Sequence, residues 1–263
     1  MDLKLQNKRA LVTGASRGLG FATALGLVQE GAHVAINSRN KDKLTEATSS
    51  IKTITGKDVY FFTGDVSDPA TPQRIIQEAV SCLGGLDILV TNSGGPPAGL
   101  FETFDDVAWQ RAVDLNFLSH VRLIRAALPH LRQSTAASVL TITSYTVKQP
   151  KPNLILSNSI RAATVGLTKS LALELGSAGI RFNSILPAWT ETERIYELMA
   201  HNARINKSTI EEEIAKQSKD SALGRIGTLE EFSNPAVFLV SPAASYITGV
   251  MLTVDGGMYK GTL

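Results

Sequence analysis

The sequence predicts an α/β protein, a single domain spanning residues 1–263 and built on a doubly wound parallel sheet. Two observations carry this. Short apolar runs rich in β-branched residues alternate with longer segments of helical period, and no linker, low-complexity tract or internal repeat breaks the alternation. Strands buried on both faces read as continuous apolar runs, and a parallel pair needs a long crossover, usually a helix, so the pattern specifies repeated βα units.

The strand candidates, in order, are Arg9–Thr13, His33–Asn37, Asp58–Thr63, Leu86–Thr91, Ser138–Thr143, Arg181–Leu186 and Val250–Val254. Helix candidates lie between them at 18–30, 41–54, 69–83, 105–133, 154–176 and 229–240. Capping chemistry supports two of these starts. Ser67-Asp68-Pro69 sets a capping side chain before a proline suited to the first helical position, and Thr228-Leu-Glu-Glu231 reads as a capping box. The segment 193–220 stands apart, with many charges and amides and little apolar mass. It reads either as a solvated surface helix or as a mobile lid over a substrate pocket.

Composition narrows the function classes. Lys and Arg total 26 against 24 Asp and Glu, a net charge of +2 with no clustering, which argues against nucleic acid and against a membrane surface. The 43 % apolar content supports a sizeable core. At this length one core is near its upper limit of about 250–300 residues. A lone cysteine, Cys82, excludes an intrachain disulfide and reads as small core filling. The four histidines, His33, His120, His130 and His201, lack metal-ligand spacing, so no metal site is expected. The first nine residues interleave charges and amides with apolar steps, and no run approaches the roughly 18 apolar residues of a membrane span, so a soluble cytoplasmic protein is expected.

The first strand candidate runs into Thr13-Gly-Ala-Ser-Arg-Gly-Leu-Gly20 and then into a helical segment. Glycines at a strand-to-helix turn let backbone approach a pyrophosphate, and the helix start aims free N–H groups at the negative charge. Strand, turn and helix all sit where dinucleotide binding needs them.

The chain here resembles the short-chain dehydrogenases/reductases, in particular their bacterial 3-oxoacyl-carrier-protein reductase-like branch. The resemblance rests on Thr-Gly-x-x-x-Gly-x-Gly and on Gly64-Asp65-Val66, Thr91-Asn-Ser-Gly-Gly95, Trp109 with Asp114-Leu-Asn116, Ile142-Thr-Ser144, Arg181-Phe-Asn-Ser-Ile-Leu-Pro187 and Asp255-Gly-Gly257. It implies a three-layer Rossmann-type sheet of seven strands, a nicotinamide cofactor and a homotetramer formed through the 105–133 and 154–176 segments and the 245–257 stretch. By the same resemblance Gly14, Ser16, Gly18, Leu19 and Gly20 form the cofactor loop. Asp65 receives the adenine amino group and Val66 packs on the ring, although Asp65 also reads as a plain cap. Asn92, with Ser93 and Gly94, braces the sheet and the ribose, although Ser93 and Gly95 depart from the usual Asn-Asn-Ala-Gly. Pro187 and Thr192 belong to the loop that holds the nicotinamide carboxamide, with Ala188 in place of the usual glycine and Thr192 equally suited to cap a helix.

Charge selects between cofactors. An acid at the end of the second strand would favour NAD, but Asn37-Ser38-Arg39 stands there. With no carboxylate to repel a 2′-phosphate, and with Arg17 and Arg39 implied to reach it, NADP(H) is expected.

The catalytic end departs from the family. Asn116 and Ser144 match two members of its tetrad, but counting 13 residues past Ser144 gives Ser157 where the family has tyrosine, and Arg161 where it has lysine. A serine hydroxyl is far less acidic than a phenol, and arginine keeps its charge, so Arg161 can hold ribose hydroxyls and an alkoxide but relays protons poorly. Spaced four apart on a helix, Ser157 and Arg161 face the same way. Lys148 is the expected substitute proton donor and Tyr145 the second candidate, with neighbouring strand-end residues pointing opposite ways. The expected function is NADP(H)-dependent reduction of a small-molecule or acyl-thioester carbonyl, with a cofactor-binding protein that has lost turnover as the alternative. The basic first half of 193–220, with Arg194, His201, Arg204 and Lys207, permits an anionic or carrier-linked substrate.

Overall fold

A computed structural model describes residues 1–262. Seven strands, β1 (Arg9–Val12), β2 (His33–Ser38), β3 (Tyr60–Thr63), β4 (Ile88–Thr91), β5 (Ser138–Ile142), β6 (Arg181–Pro187) and β7 (Met251–Val254), form one sheet in the order β3-β2-β1-β4-β5-β6-β7. Every pairing is parallel. The chain therefore winds outward twice, once from β1 towards β3 and once from β4 towards β7. The reversal between β1 and β4 opens a crevice at their carboxyl ends, where open α/β sheets bind ligands.

The α-helices among the described residues are α1 (Gly18–Gln29), α2 (Lys41–Thr55), α3 (Thr71–Leu83), α4 (Asp106–Val113), α5 (Ser119–Leu131), α6 (Ile155–Leu175), α7 (Glu193–Asn206), α8 (Ile210–Ser218) and α9 (Leu229–Val240). On one face Leu27, Leu44, Ile51 and Phe232 from α1, α2 and α9 pack against Val12, Ile36 and Val90. On the other, Ile75, Ile76, Leu123, Ala127 and Leu175 from α3, α5 and α6 pack against Leu11, Leu89 and Val139. Fully burying a side chain of this size contributes about 1.5–3 kcal/mol, so these two layers hold the sheet.

Three local readings are corrected by tertiary contacts. The 105–133 helix is interrupted by a π-helical turn at Asp114–Leu118. Its extra residue frees the Asn116 carbonyl to accept from Thr164 Oγ1 of α6 at 2.6 Å. Helix α3 starts at Thr71 rather than 69, because Asp68 folds a turn ahead of it, accepting from the Ala70 N–H at 3.1 Å and from Thr71 Oγ1 at 3.3 Å. Cys82 is exposed, not core, since Ile75, Ile76 and Ala79 supply the inward face of α3. The Thr228–Glu231 capping box is present and starts α9. The 193–220 segment forms α7 and α8, joined by a turn in which buried Glu213 accepts from Asn206, Ser208 and Lys216. Among the described residues no helix is long and apolar enough to cross a membrane.

Candidate functional site

A cleft of about 330 Å³ opens at the carboxyl ends of β1, β2, β4 and β5. Its floor is the turn between β1 and α1. Gly14 has φ +58°, and a Cβ there would meet the Asn92 carbonyl oxygen at 2.8 Å. A Cβ on Gly20 would meet the Gly14 carbonyl oxygen at 2.5 Å. Only hydrogen fits at either position, so the turn lies tight against β4 and leaves its outer side to a ligand. Asn92 locks this arrangement: Nδ2 donates to the Gly14 carbonyl at 3.0 Å, and its backbone exchanges hydrogen bonds with Thr13 Oγ1 at 2.8 and 2.9 Å.

At the β2 end of the cleft Ser16 and Ser38 share a hydroxyl hydrogen bond at 2.9 Å. Asn37 turns its amide away, donating to the Phe62 and Gly64 carbonyls at 2.8 and 3.1 Å. Arg39 Nη1 lies 3.6 Å from Asp65 Oδ2. Asp65 Oδ1 also accepts from the Ser67 N–H and hydroxyl at 2.9 and 2.7 Å. Partial burial pushes the Asp65 carboxyl up, but the Ser67 bonds and Arg39 outweigh it and hold the group below its usual range. Asp65 therefore closes a local turn with Ser67 and does not cap α3, whose N-cap is Ala70. Arg17, by contrast, reaches across to α7, with Nη1 2.9 Å from Glu193 and 3.1 Å from Glu197.

The other end is organised by α6 and the π-helical turn. Asn116, fully buried, donates from Nδ2 to Ser93 Oγ at 2.9 Å and to the Gly94 carbonyl at 2.8 Å, while its Oδ1 has no partner. Arg161 is only 7 % exposed and donates from Nη1 to the Ile142 and Thr143 carbonyls, each at 3.2 Å. Burial pushes its guanidinium down to about 10, with Arg194 adding like-charge repulsion, so it remains a cation at neutral pH. His120 sits beneath, its Nδ1 2.7 Å from Thr91 Oγ1, and burial with nearby Arg161 pushes it down to about 3, so it is neutral. Ser144 closes the end of β5, its Oγ accepting from the Thr146 N–H at 3.2 Å and hydroxyl at 3.0 Å.

This glycine turn, sheet order and cleft have close counterparts. A family model described as "Enoyl-(Acyl carrier protein) reductase" matches residues 14–259. L-rhamnose 1-dehydrogenase (NAD(P)(+)) of a Sphingomonas species is 33 % identical over 258 residues, 97 % of either chain. The chain belongs to the short-chain dehydrogenase/reductase family. The 3-oxoacyl-[acyl-carrier-protein] reductase FabG of Staphylococcus aureus is 32 % identical over 253 residues, covering 96 % of this chain and 98 % of its own. Among solved structures, L-sorbose reductase from Gluconobacter frateurii, complexed with NADPH and L-sorbose, superposes with a TM-score of 0.96 at 31 % identity, covering 99 % of this chain and 100 % of that one.

Within this short-chain dehydrogenase/reductase the cleft brings together Gly14, Ser16, Arg17, Gly18, Leu19, Ser38, Arg39, Asp65, Val66, Asn92, Ser93, Gly94, Arg161 and Thr192. Gly20 and Pro187 lie behind it, where Gly20 lets the turn pack and Pro187 ends β6, so Ala188 rather than Pro187 faces the cleft. Asn116 acts through the loop it holds. Thr192 caps α7, accepting from the Ile195 N–H at 3.3 Å, as well as lining the cleft.

Lys148 corrects the expected catalytic group. Its ammonium stands 5.2 Å from the centroid of the Tyr259 ring, and it borders a separate pocket with Ala162 and Gly249. The turn Tyr145–Val147, capped by Ser144, carries Lys148 away from the cleft. Tyr145 is buried against Leu186 and Met258 on the other side of that turn, with Lys151 Nζ 5.8 Å from its ring, so Ser144 and Tyr145 do point apart. Ser157 is half-buried on α6 and does not line the cleft. Arg17 lines the cleft and pairs with Glu193 and Glu197 of α7. The cleft also takes in Gly95, Thr190, Glu193 and Arg194, of which the sequence singled out Arg194 only as part of the basic lid segment. For Glu193 and Arg194 the available signal was their place directly after the Pro187–Thr192 loop.

Proposed function

We propose that the protein is an NADP(H)-dependent oxidoreductase that reduces the carbonyl of a sugar-like or acyl-chain substrate, 3-oxoacyl thioesters included. The observation that carries this is the cleft itself: a glycine turn too tight for any Cβ leads at the β2 end to Ser38 and Arg39 with no acid on β2, and at the β5 end to a buried cation. Relatives named for NAD(P)(+) and for an NADPH complex support the cofactor, and the sugar substrates in those names support the substrate class.

The backbone of residues 14–20 would hold the pyrophosphate, Ser38 and Arg39 the adenosine ribose with its 2′-phosphate, Asp65 and Val66 the adenine, and Ser93, Gly94 and Thr192 the nicotinamide half. When bound, the nicotinamide supplies a hydride to the carbonyl carbon. Arg161 then stabilises the negative charge growing on the carbonyl oxygen, an interaction that strengthens as charge develops. Ser144 Oγ already accepts two hydrogen bonds from Thr146, which leaves its own proton to donate to the same oxygen. With Lys148 turned away, the oxygen takes its proton from cleft water. Asn116 fixes the loop beneath the nicotinamide and α7 serves as the lid. Leu173 of α6 is 76 % exposed, and an apolar side chain in that position fits the α6 pairing of a homotetramer.

One observation favours a second reading, cofactor binding without turnover: no phenol or ammonium of the expected catalytic set reaches the cleft. NADPH and NADH titrations, run beside an absorbance assay over ketoses, aldehydes and 3-oxoacyl thioesters, separate the two. NADPH binding tighter than NADH, with oxidation of NADPH by at least one carbonyl, is the expected result. Binding without turnover on any member selects the second reading, and tighter NADH overturns the cofactor assignment. Light scattering at micromolar concentration tests the tetramer.

A further inference from the structure

The charges in the cleft do not balance, and the imbalance is local. Four arginines line it, Arg17, Arg39, Arg161 and Arg194, against two acids, Asp65 and Glu193. Arg39 pairs with Asp65, and Arg17 with Glu193 and the neighbouring Glu197. Both acids are therefore engaged at the β1 and β2 side, and neither Arg161 nor Arg194 has an acidic partner among the described residues.

These two cations share one place. Sheet order runs β2, β1, β4, β5, so the cleft passes from the Ser38–Arg39 end, over the glycine turn, to the ends of β4 and β5. Arg161 is tied to the carboxyl end of β5 through the Ile142 and Thr143 carbonyls. Arg194, in the first turn of α7, lays its guanidinium over the loop after β4, where a Cβ on Gly95 would stand 2.8 Å from Nη1. Arg194 thus faces the reacting end, while its neighbour Glu193 turns to Arg17 over the glycine turn. Arg161 is buried and commits Nη1 alone to protein acceptors, leaving guanidinium N–H groups for a ligand. Buried Arg161 and exposed Arg194 line the same cleft and repel each other, and an anion between them relieves that repulsion with charge-assisted hydrogen bonds.

We propose that Arg194, opposite Arg161, forms an anion subsite for the substrate, so that the carbonyl compound this protein takes carries a carboxylate or phosphate within a few atoms of the reacting carbon. This rests on the functional reading above, and it narrows the substrate from carbonyls in general to anionic ones. A substrate anion would enter the cleft mouth along the lid and bring its carbonyl oxygen towards Arg161 and Ser144.

The test uses calorimetric titration of the full chain with matched pairs, with and without saturating NADP+: pyruvate against hydroxyacetone, and dihydroxyacetone phosphate against dihydroxyacetone. The anionic member of at least one pair should bind tenfold or more tighter than its neutral partner, and the pair that shows it distinguishes carboxylate from phosphate. Arg194→Gln should reduce that preference to within about twofold, Arg194→Lys should keep part of it, and NADPH should titrate into Arg194→Gln within about twofold of the parent. Arg194 is exposed, and a thermal melt verifies that both variants are folded. Equal binding of charged and neutral members in both pairs overturns the proposal, as does a preference that survives Arg194→Gln. A tenfold loss of NADPH affinity in Arg194→Gln also overturns it, by assigning Arg194 to the cofactor phosphates. A chain that fails to bind NADPH but keeps the Arg194-dependent preference breaks the functional reading and leaves this subsite standing.

Discussion

The β1–β2 side of the cleft and its β5–α6 side are built from different materials. On the first side the contacts are backbone and glycine: Gly14 and Gly20 pack where no Cβ fits, and every nearby charge has its partner. On the second they are side chains with spare capacity: among the described residues Asn116 Oδ1 and His120 Nε2 are buried without partners, and Arg161 and Arg194 have no acidic partner. The difference teaches where change is tolerated. A backbone cradle fixes one shape of ligand, because altering it means moving β1 against β4. A side-chain set can be exchanged one group at a time.

The most damaging change should therefore fall on the cradle. Gly20→Val sets a side chain 2.5 Å from the Gly14 carbonyl and 2.9 Å from Asn92 Nδ2. Overpacking of this kind costs about 1–3 kcal/mol, so the melting temperature should fall and NADPH binding should vanish from a fluorescence titration. Binding at parental affinity would mean that the cradle is looser than its geometry.

On the other side, Arg161→Ala should lower turnover about a hundredfold or more, the usual cost of losing a donor to a developing oxyanion. Its NADPH affinity should fall much less, which a kcat measurement beside a cofactor titration reads directly. The converse change, Ser157→Tyr with Arg161→Lys, supplies a phenol and an ammonium at family spacing, and turnover should rise if the cleft is otherwise intact. An unchanged rate in both experiments would move the reaction centre away from α6.

A smaller and more selective effect is expected at Arg39. It is 70 % exposed and holds Asp65 only at 3.6 Å, so its removal leaves the fold alone. Arg39→Ala should weaken NADPH about tenfold, the scale of one charge-assisted contact, and leave NADH unchanged. Equal loss for both cofactors would remove the 2′-phosphate from its role.

The smallest effect on function serves as the control, and it lies at the opposite ends of the same two strands. Asp87, ahead of β4, accepts from Arg9 Nε, Nη2 and N–H at 2.8, 2.8 and 2.9 Å and from Ser134 Oγ at 2.6 Å. Burial pushes its carboxyl up, but the Arg9 and Ser134 bonds outweigh it and hold it at about 2, against 3.8 for the free group. A depressed acid stabilises the fold above its unfolded value and loses that contribution as pH falls through the folded one. The difference corresponds to about 2 kcal/mol, so the parent should lose that much between about pH 4 and pH 2. Asp87→Asn should be less stable at neutral pH, flatter across that acid range, and unaltered in NADPH titration. A change in cofactor affinity would show that the two strand ends are coupled.

The legible and illegible parts of the site follow the same division. The alternation of apolar runs and helical periods yields seven strands near their observed bounds, because a strand buried on both faces has no freedom in its residue types. The glycine turn is legible because three glycines at fixed offsets answer a steric demand written locally. The interruption of 105–133 is not legible, since the π-helical turn exists to give the Asn116 carbonyl to Thr164, 48 positions along the chain. Lys148 was misread for a related reason: the residue type and the strand end were right, but the turn that carries it to Tyr259 depends on packing of Tyr145 against Leu186 and Met258.

The sequence by itself determined the parallel α/β architecture, the glycine turn, the absence of an acid on the second strand and the spacing of Ser157 and Arg161 four residues apart. Each is a matter of residue type at short range, where sterics and charge act between neighbours. Only the tertiary structure decided how the charges pair. Arg17 meets Glu193 and Glu197 across 176 and 180 positions, and that pairing leaves Arg161 and Arg194, which line the same cleft, without an acidic partner among the described residues. Coulomb interaction depends on distance in space and on burial, and neither is written in the spacing along a chain.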